Sequence, residues 1–228
     1  AVATAADETW HTFRGNAQLT GVAPNSLPTN LHLLWTYPTE DAIESTAAIH
    51  QNTVYIPSLD TFLYALDLQS GALKWRYAAT SEIRSSPTIA ESTLYFGDEG
   101  GTFHAVDIRT GQPHWTFTAN GGITSTANYT DNRIYFGSYD QHLYCLDATT
   151  GSEIWKIATD GYIHSTPVLY EDLVAGADTI SCLYEFLGVA HDFLPSGLDD
   201  VVNATPGVPI PLTSEQQASL RTRFEEPN

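Results

Sequence analysis

Alternation of apolar and polar residues switches on and off along this chain with a regular beat. Ser85-Ser-Pro-Thr-Ile89, Thr93-Leu-Tyr-Phe-Gly97, Thr102-Phe-His-Ala-Val106 and Pro113-His-Trp-Thr-Phe117 are short runs rich in β-branched and aromatic residues, each bounded by Gly, Asp, Ser or Pro. Such runs predict β-strands, because successive side chains of a strand face opposite ways and β-branched and aromatic residues fit a pleated surface. Between the third and fourth runs lies Asp-x-x-Ser/Thr-Gly. There the Asp and the hydroxyl can bond backbone amides, and the glycine can take the left-handed conformation a turn requires.

The four-run unit recurs. Asp67, Asp107 and Asp147, then Gly71, Gly111 and Gly151, then Trp75, Trp115 and Trp155 stand 40 residues apart. Tyr55, Tyr95 and Tyr135 fall on the same period, as do Ser45, Ser85, Ser125 and Ser165, and Trp35 extends the Trp series backwards. A period of this size marks an array of one supersecondary unit. Each Trp opens the fourth strand and is large enough to fill the wedge between neighbouring sheets, with an indole N–H that needs a partner. The pattern predicts a mainly β chain of propeller-type blades, each of four antiparallel strands, at about 43–78, 83–118 and 123–158, with a partial fourth from 163. A linear β-solenoid is the competing arrangement, for which a 40-residue coil is long.

Both ends depart from the period. Residues 1–28 read as an irregular lead-in. Leu31-His-Leu-Leu-Trp-Thr-Tyr37 matches a fourth strand without the first three before it; either it joins the last blade and closes a strained four-bladed ring, which would hide sheet edges, or the blades form an open arc with an exposed edge. After Ile163-His-Ser-Thr-Pro-Val-Leu-Tyr170 the repeat fails, and Pro195 stands where the next Trp belongs. Beyond it, Ile180, Leu183, Tyr184 and Leu187 lie on one face of a predicted helix, and Thr213-Ser-Glu-Gln216 reads as a capping box, so a short helical tail is expected.

The run Leu-Tyr-Ala-Leu-Asp-x-x-Ser-Gly-x-x-x-Trp, preceded by Ser-Ser-Pro-Thr-Ile and Leu-Tyr-Phe-Gly, resembles the pyrroloquinoline quinone (PQQ) type propeller repeat over about 29–168. Trp10-His-Thr-Phe-Arg-Gly-Asn-Ala-Gln-Leu-Thr-Gly is similar to the opening of many such propellers. The repeat occurs in quinoprotein dehydrogenases and in non-catalytic binding propellers of the outer-membrane assembly machinery, so the resemblance implies the fold and leaves two functions open. Leu169-Tyr-Glu-Asp-Leu through Glu185-Phe-Leu-Gly188 and Pro211-Leu-Thr-Ser-Glu-Gln are similar to the carboxyl end of sulfotransferase domains over 169–228. That family's phosphate-binding Gly/Lys loop has no counterpart here, and no Lys follows Lys156. A sulfotransferase remnant is accordingly the third reading.

Net charge is −18 with two lysines, which argues against nucleic acid or anionic lipid as a partner. No apolar run is long enough to span a membrane. The small-residue opening Ala1-Val-Ala-Thr-Ala-Ala and the lack of Met suit a processed, exported chain or a fragment, and hence a periplasmic or extracellular setting. Cys145 takes the place of Ala65 and Ala105 and is expected in the core. The pairing state of Cys145 and Cys182 is left open.

Candidate chemistry is sparse. Resemblance to a quinoprotein dehydrogenase implies calcium held by carboxylates and an Asn beside PQQ, an Asp base and often a vicinal Cys pair; no Cys-Cys occurs. His104, His114, His142 and His164 lack metal-ligand spacing, so no metal and no cofactor is expected outside the PQQ alternative. What varies while the repeat frame stays fixed is the loop face. Glu44, Arg84, Thr124 and His164 each follow the repeated Ile, and Asp60, Asp98, Tyr139 and Asp140 lie on the turns between second and third strands. Mixed polar residues on loops over a rigid frame suit recognition, and merely solvated turns would look the same. The expectation is a non-catalytic propeller binding or scaffold protein with a protein partner, and self-association through an exposed sheet edge.

Overall fold

The computed structural model describes residues 9–23 and 29–169. Twelve strands fall in three sheets of four. The first sheet runs β1 (Ala48–His50), β2 (Thr53–Pro57), β3 (Phe62–Asp67), β4 (Leu73–Ala78). The second runs β5 (Thr88–Ala90), β6 (Thr93–Gly97), β7 (Thr102–Asp107), β8 (Pro113–Thr118), and the third β9 (Asn128–Thr130), β10 (Arg133–Gly137), β11 (His142–Asp147), β12 (Glu153–Ala158). Each strand pairs antiparallel with its sequence neighbour, so each sheet is a meander, and these are the propeller blades the period predicts. Among the described residues there is no helix. The expected helical tail and the sulfotransferase-like segment from Tyr170 onward lie outside the described residues.

Register repeats with the sequence. Ala65 faces Trp75, Ala105 faces Trp115 and Cys145 faces Trp155, each followed by a one-residue register shift. A small residue is needed opposite the indole because cross-strand side chains stand close together. Burial pushes the Cys145 thiol up to about 12, so it behaves as a small apolar residue of the core. The first strands β1, β5 and β9 contact one another in turn, which puts them nearest the axis.

Blades are joined by one device used repeatedly. The Trp75 indole N–H and the Tyr55 hydroxyl both donate to the Ile108 carbonyl of the next blade, at 3.2 and 3.1 Å. Trp115 and Tyr95 donate to Ala148 in the same way, both at 3.0 Å. The receiving turn must be glycine for two reasons. Gly111 and Gly151 have φ of +71° and +73°, and an added Cβ would lie 2.7 and 2.5 Å from the Trp75 and Trp115 rings. Between blades the core fills with aromatics: Phe103 stacks on Phe136 at 4.1 Å and Tyr144 stacks on Phe136 in turn, with Phe117 edge-on to Phe136 and Tyr144. Each such buried ring contributes ~1.5–3 kcal/mol.

The amino end shows how the orphan strand sequence and the irregular lead-in sit against the blades. Leu31–Tyr37 has no strand pairing among the described residues, and Leu31, Leu33 and Leu34 are exposed. A fourth strand exists only by pairing with a third, and none is beside it here. Trp35 nevertheless docks as its homologues do, donating to Leu68 O at 2.9 Å over Gly71. The lead-in is irregular apart from one bridge at Trp10, and it is tied to the blades. Trp10 exchanges two backbone bonds of 2.8 Å with Ile49, Ile89 N–H donates to His11 O, and Asn128 Nδ2 donates to Ala17 O. The inner strands are sheet edges with unpaired backbone groups, which any adjacent segment can satisfy.

Candidate functional site

Loops joining one blade to the next and the turns between second and third strands share one rim. They are sewn together by Leu59 N–H to Ala42 O, Glu99 N–H to Glu82 O and Tyr139 N–H to Gly122 O, each 2.9 Å. The predicted site residues divide into two groups on this rim.

Asp60, Asp98 and Asp140 form the first. The Asp60 carboxylate accepts from the amides of Glu40 and Phe62 and from the Tyr64 hydroxyl. Asp140 accepts from the amides of Asn120 and His142 and from the Tyr144 hydroxyl. Asp98 does the same work from a position two residues earlier in the repeat, accepting from the amides of Thr80 and Thr102 and lying 3.0 Å from His104 Nε2. Where the other blades have Ser58 or Ser138, Asp60 or Asp140, and Tyr64 or Tyr144, the second has Asp98, Gly100 and His104. The carboxylate has moved and its ring partner has changed with it. Burial alone would raise the Asp98 and Asp140 carboxyls. Hydrogen bonds, from His104 and Thr80 in one case and from Tyr144 and the Asn120 amide in the other, instead hold both below the usual range. These three acids hold the turns in shape; Asp98 is fully buried.

The second group faces outward and is linked around the rim. Arg84 bridges two blades, its Nη1 paired with Glu44 of the preceding blade and its Nε 2.7 Å from Glu99 of its own. All three side chains are partly exposed. Tyr139 meets His164 edge-on at 4.7 Å and Tyr162 at 5.5 Å, and Tyr162 is 64% exposed. Thr124 lies between these clusters in sequence order, its hydroxyl buried without a partner among the described residues. Sequence reasoning missed Glu99 and Tyr162. Glu99 could have been found, because Leu59, Glu99 and Tyr139 occupy one repeat position and change character from blade to blade.

The described residues do not fit PQQ with calcium. No group of three or more His, Cys, Asp or Glu among them is placed to hold a metal ion. The turn carboxylates are occupied by their own backbone, and Cys145 is buried alone.

Three solved structures share the architecture. BamB from Moraxella catarrhalis is 23% identical, with 60% of this chain and 44% of that one covered at a TM-score of 0.54. The quinohemoprotein alcohol dehydrogenase ADHIIG from Pseudomonas putida HK5 is 20% identical, covering 66% of this chain and 26% of that one at 0.59. The computationally designed Ika4 protein is 19% identical, covering 62% of this chain and 89% of that one at 0.57. This chain thus spans less than half of the first two, and at these identities the likeness is one of fold. No protein among curated sequences matches. The family profile described as outer membrane protein assembly factor BamB matches residues 28–128 and 119–185, running past Leu169, where the sulfotransferase-like resemblance begins. With more than half of its length matched, the chain belongs to the BamB family of PQQ-type propeller repeat proteins.

Proposed function

We propose that this chain is a non-catalytic binding or scaffold propeller of the cell envelope that engages a protein partner through the rim carrying Glu44, Arg84, Glu99, Tyr139, Tyr162 and His164. The observation supporting this reading is the division on that rim. Acids that could serve chemistry are consumed by the turns, while the residues that differ between blades are exposed and joined across blade boundaries. Arginine and tyrosine are the side chains that protein interfaces favour. The family's name connects it with outer membrane protein assembly, and a partner in that assembly is the reading we adopt. An envelope location agrees with it; among the described residues no helix is long and apolar enough to cross a membrane.

The test is site-specific photocrosslinking in envelope preparations. A crosslinker at Tyr162 should trap an outer-membrane assembly component, a crosslinker at Gln69 on the opposite turns should not, and Arg84→Glu should weaken the Tyr162 adduct. Equal capture from both faces would overturn the rim assignment. A stoichiometric chromophore on adding PQQ and calcium would instead establish the quinoprotein reading.

A further inference from the structure

The lead-in does more than cover an edge. Over eight residues it touches the inner strand of every described blade: Trp10 at Ile49, His11 at Ile89, Thr12 at Thr88 and Ala17 at Asn128. Thr88 donates its one hydroxyl proton to Ala127 O at 2.6 Å, so Thr12 is the donor in the 2.9 Å Thr12–Thr88 bond. Ala17 O also accepts the Leu169 amide at 3.1 Å, tying in the start of the partial fourth unit. A reversal at Gly15 lets the segment turn back under Trp10, whose ring leaves no room for a Cβ there. Residues 10–17 therefore form a strap across the axis.

On the face opposite the Trp10–Ile49 bridge, one residue further along each segment, stand His11 and His50. His11 Nε2 and His50 Nδ1 share a hydrogen bond of 3.0 Å, with ring centroids 5.0 Å apart and planes inclined at 57°, and a metal ion between them would replace its proton. Both rings are half-buried. Two ligand nitrogens of a tetrahedral zinc ion, with Zn–N bonds of ~2.0–2.1 Å, stand about 3.3 Å apart. The pair is thus within a few tenths of an ångström of a chelating separation, reached by a small opening of the rings.

We propose that His11 and His50 form a two-imidazole clamp for a borderline divalent transition-metal ion, and that the ion fastens the axial strap to the first blade. Imidazole selects zinc, copper and nickel, while calcium and magnesium prefer oxygen ligands. Copper should bind more tightly than zinc or nickel, following the general order for nitrogen sites. Since the strap carries bonds to β1, β5 and β9, fixing its first residues restrains all three inner strands.

The full chain is titrated calorimetrically with zinc, copper and calcium chlorides, as wild type and as His11→Gln, His50→Gln and, for comparison, His142→Gln. Copper-loaded wild type is examined by electron paramagnetic resonance. Zinc and copper should bind at one site per chain, calcium should not, and copper should show two imidazole nitrogens. Loss of a ligand costs at least as much as loss of an outer-shell partner, so His11→Gln and His50→Gln should weaken binding about tenfold or more. His142→Gln should leave it unchanged. Unaltered affinity in both pair variants would assign the ion to other histidines and overturn the proposal. Should those variants fail to fold, hydrogen exchange of the wild type decides. Zinc must slow exchange at the amides of Trp10, Ile49 and Ile89, and indifference there sinks the clamp.

Discussion

At the scale of the residue, the informative event is the displaced carboxylate of the second blade. Asp98 reaches the same two amides as Asp60 and Asp140 from two positions earlier, and His104 replaces tyrosine because the carboxylate now arrives from another direction. His104 in turn lies 3.0 Å from the Tyr77 hydroxyl, where Tyr64 and Tyr144 meet the rings of Tyr37 and Phe117. Gly100 completes the exchange, since a Cβ there would stand 3.3 Å from an Asp98 oxygen and 3.2 Å from Ser81 Cβ. Three substitutions within one chain behave as a unit, and such sites are strongly non-additive. Asp98→Ser alone leaves His104 buried without its acceptor and should cost ~1–3 kcal/mol. The triple variant Asp98→Ser, Gly100→Asp, His104→Tyr rebuilds the arrangement of the other blades and should recover most of that loss. Urea unfolding of the single and triple variants measures the difference; equal destabilisation would mean that the exchange is not a coupled unit.

At the scale of the element, the strand, the turn and the wedge were all legible, and for one reason. Four strands per unit, the Asp-capped turn and the Trp position each rest on local chemistry repeated three times, so noise in one copy is corrected by the others. Asp67 shows how local it is, holding the Gln69 and Ser70 amides and the Ser70 hydroxyl, which keeps its carboxyl below the usual range. What the sequence could not disclose was anything set by a neighbour without period. The binding of His11 and Ala17 to the axis is such a case, and so is the division of rim acids into turn caps and exposed partners, because Asp60 and Glu44 look alike until their hydrogen bonds are known. The wedge itself makes a graded prediction. Trp115→Phe gives up a bond to Ala148 O and should cost ~1 kcal/mol beyond its lost area. Trp155 has its indole nitrogen buried without a partner among the described residues, so Trp155→Phe should cost clearly less. Gly151→Ala meets both a φ of +73° and the Trp115 ring 2.5 Å away, and should be the most damaging of the three. Thermal unfolding of the three variants ranks them, and a Trp155→Phe loss equal to that of Trp115→Phe would show that its N–H is satisfied after all.

At the scale of the whole molecule, the three blades form an arc whose two ends carry opposite deficits. One end has a fourth-strand sequence, Leu31–Tyr37, with its Trp seated but no third strand beside it among the described residues, and Leu33 is 82% exposed. Nearby, Ile43 is 45% exposed, whereas its equivalents Ile83 and Ile123 are fully buried; Ile123 lies against Gly97 of the preceding blade. The other end has a blade whose Trp155 finds no receiving carbonyl among the described residues, followed by Ile163–Leu169, which begins a unit with Ser165 O accepting from Ser125 and Pro167 O from Asn128. All three Gly turns of the described blades are already filled, by Trp35, Trp75 and Trp115. A second copy therefore has no vacant turn to offer Trp155, which disfavours simple head-to-tail pairing of these blades. Among the described residues no set of first-to-third strands with an unfilled turn stands between these two ends. Grafting residues 130–151 directly after Leu169, to continue the unit begun there, supplies one. The graft should raise Tm, protect the Leu31–Tyr37 amides from hydrogen exchange and leave the chain monomeric, because a joined edge removes both the exposed leucines and the unpaired backbone. Protection of Leu31–Tyr37 already present in the ungrafted chain would show the edge to be joined without help. Unchanged exchange after grafting would mean that the two ends do not belong to one missing blade, and that longer arrays of this repeat are needed to bring them together.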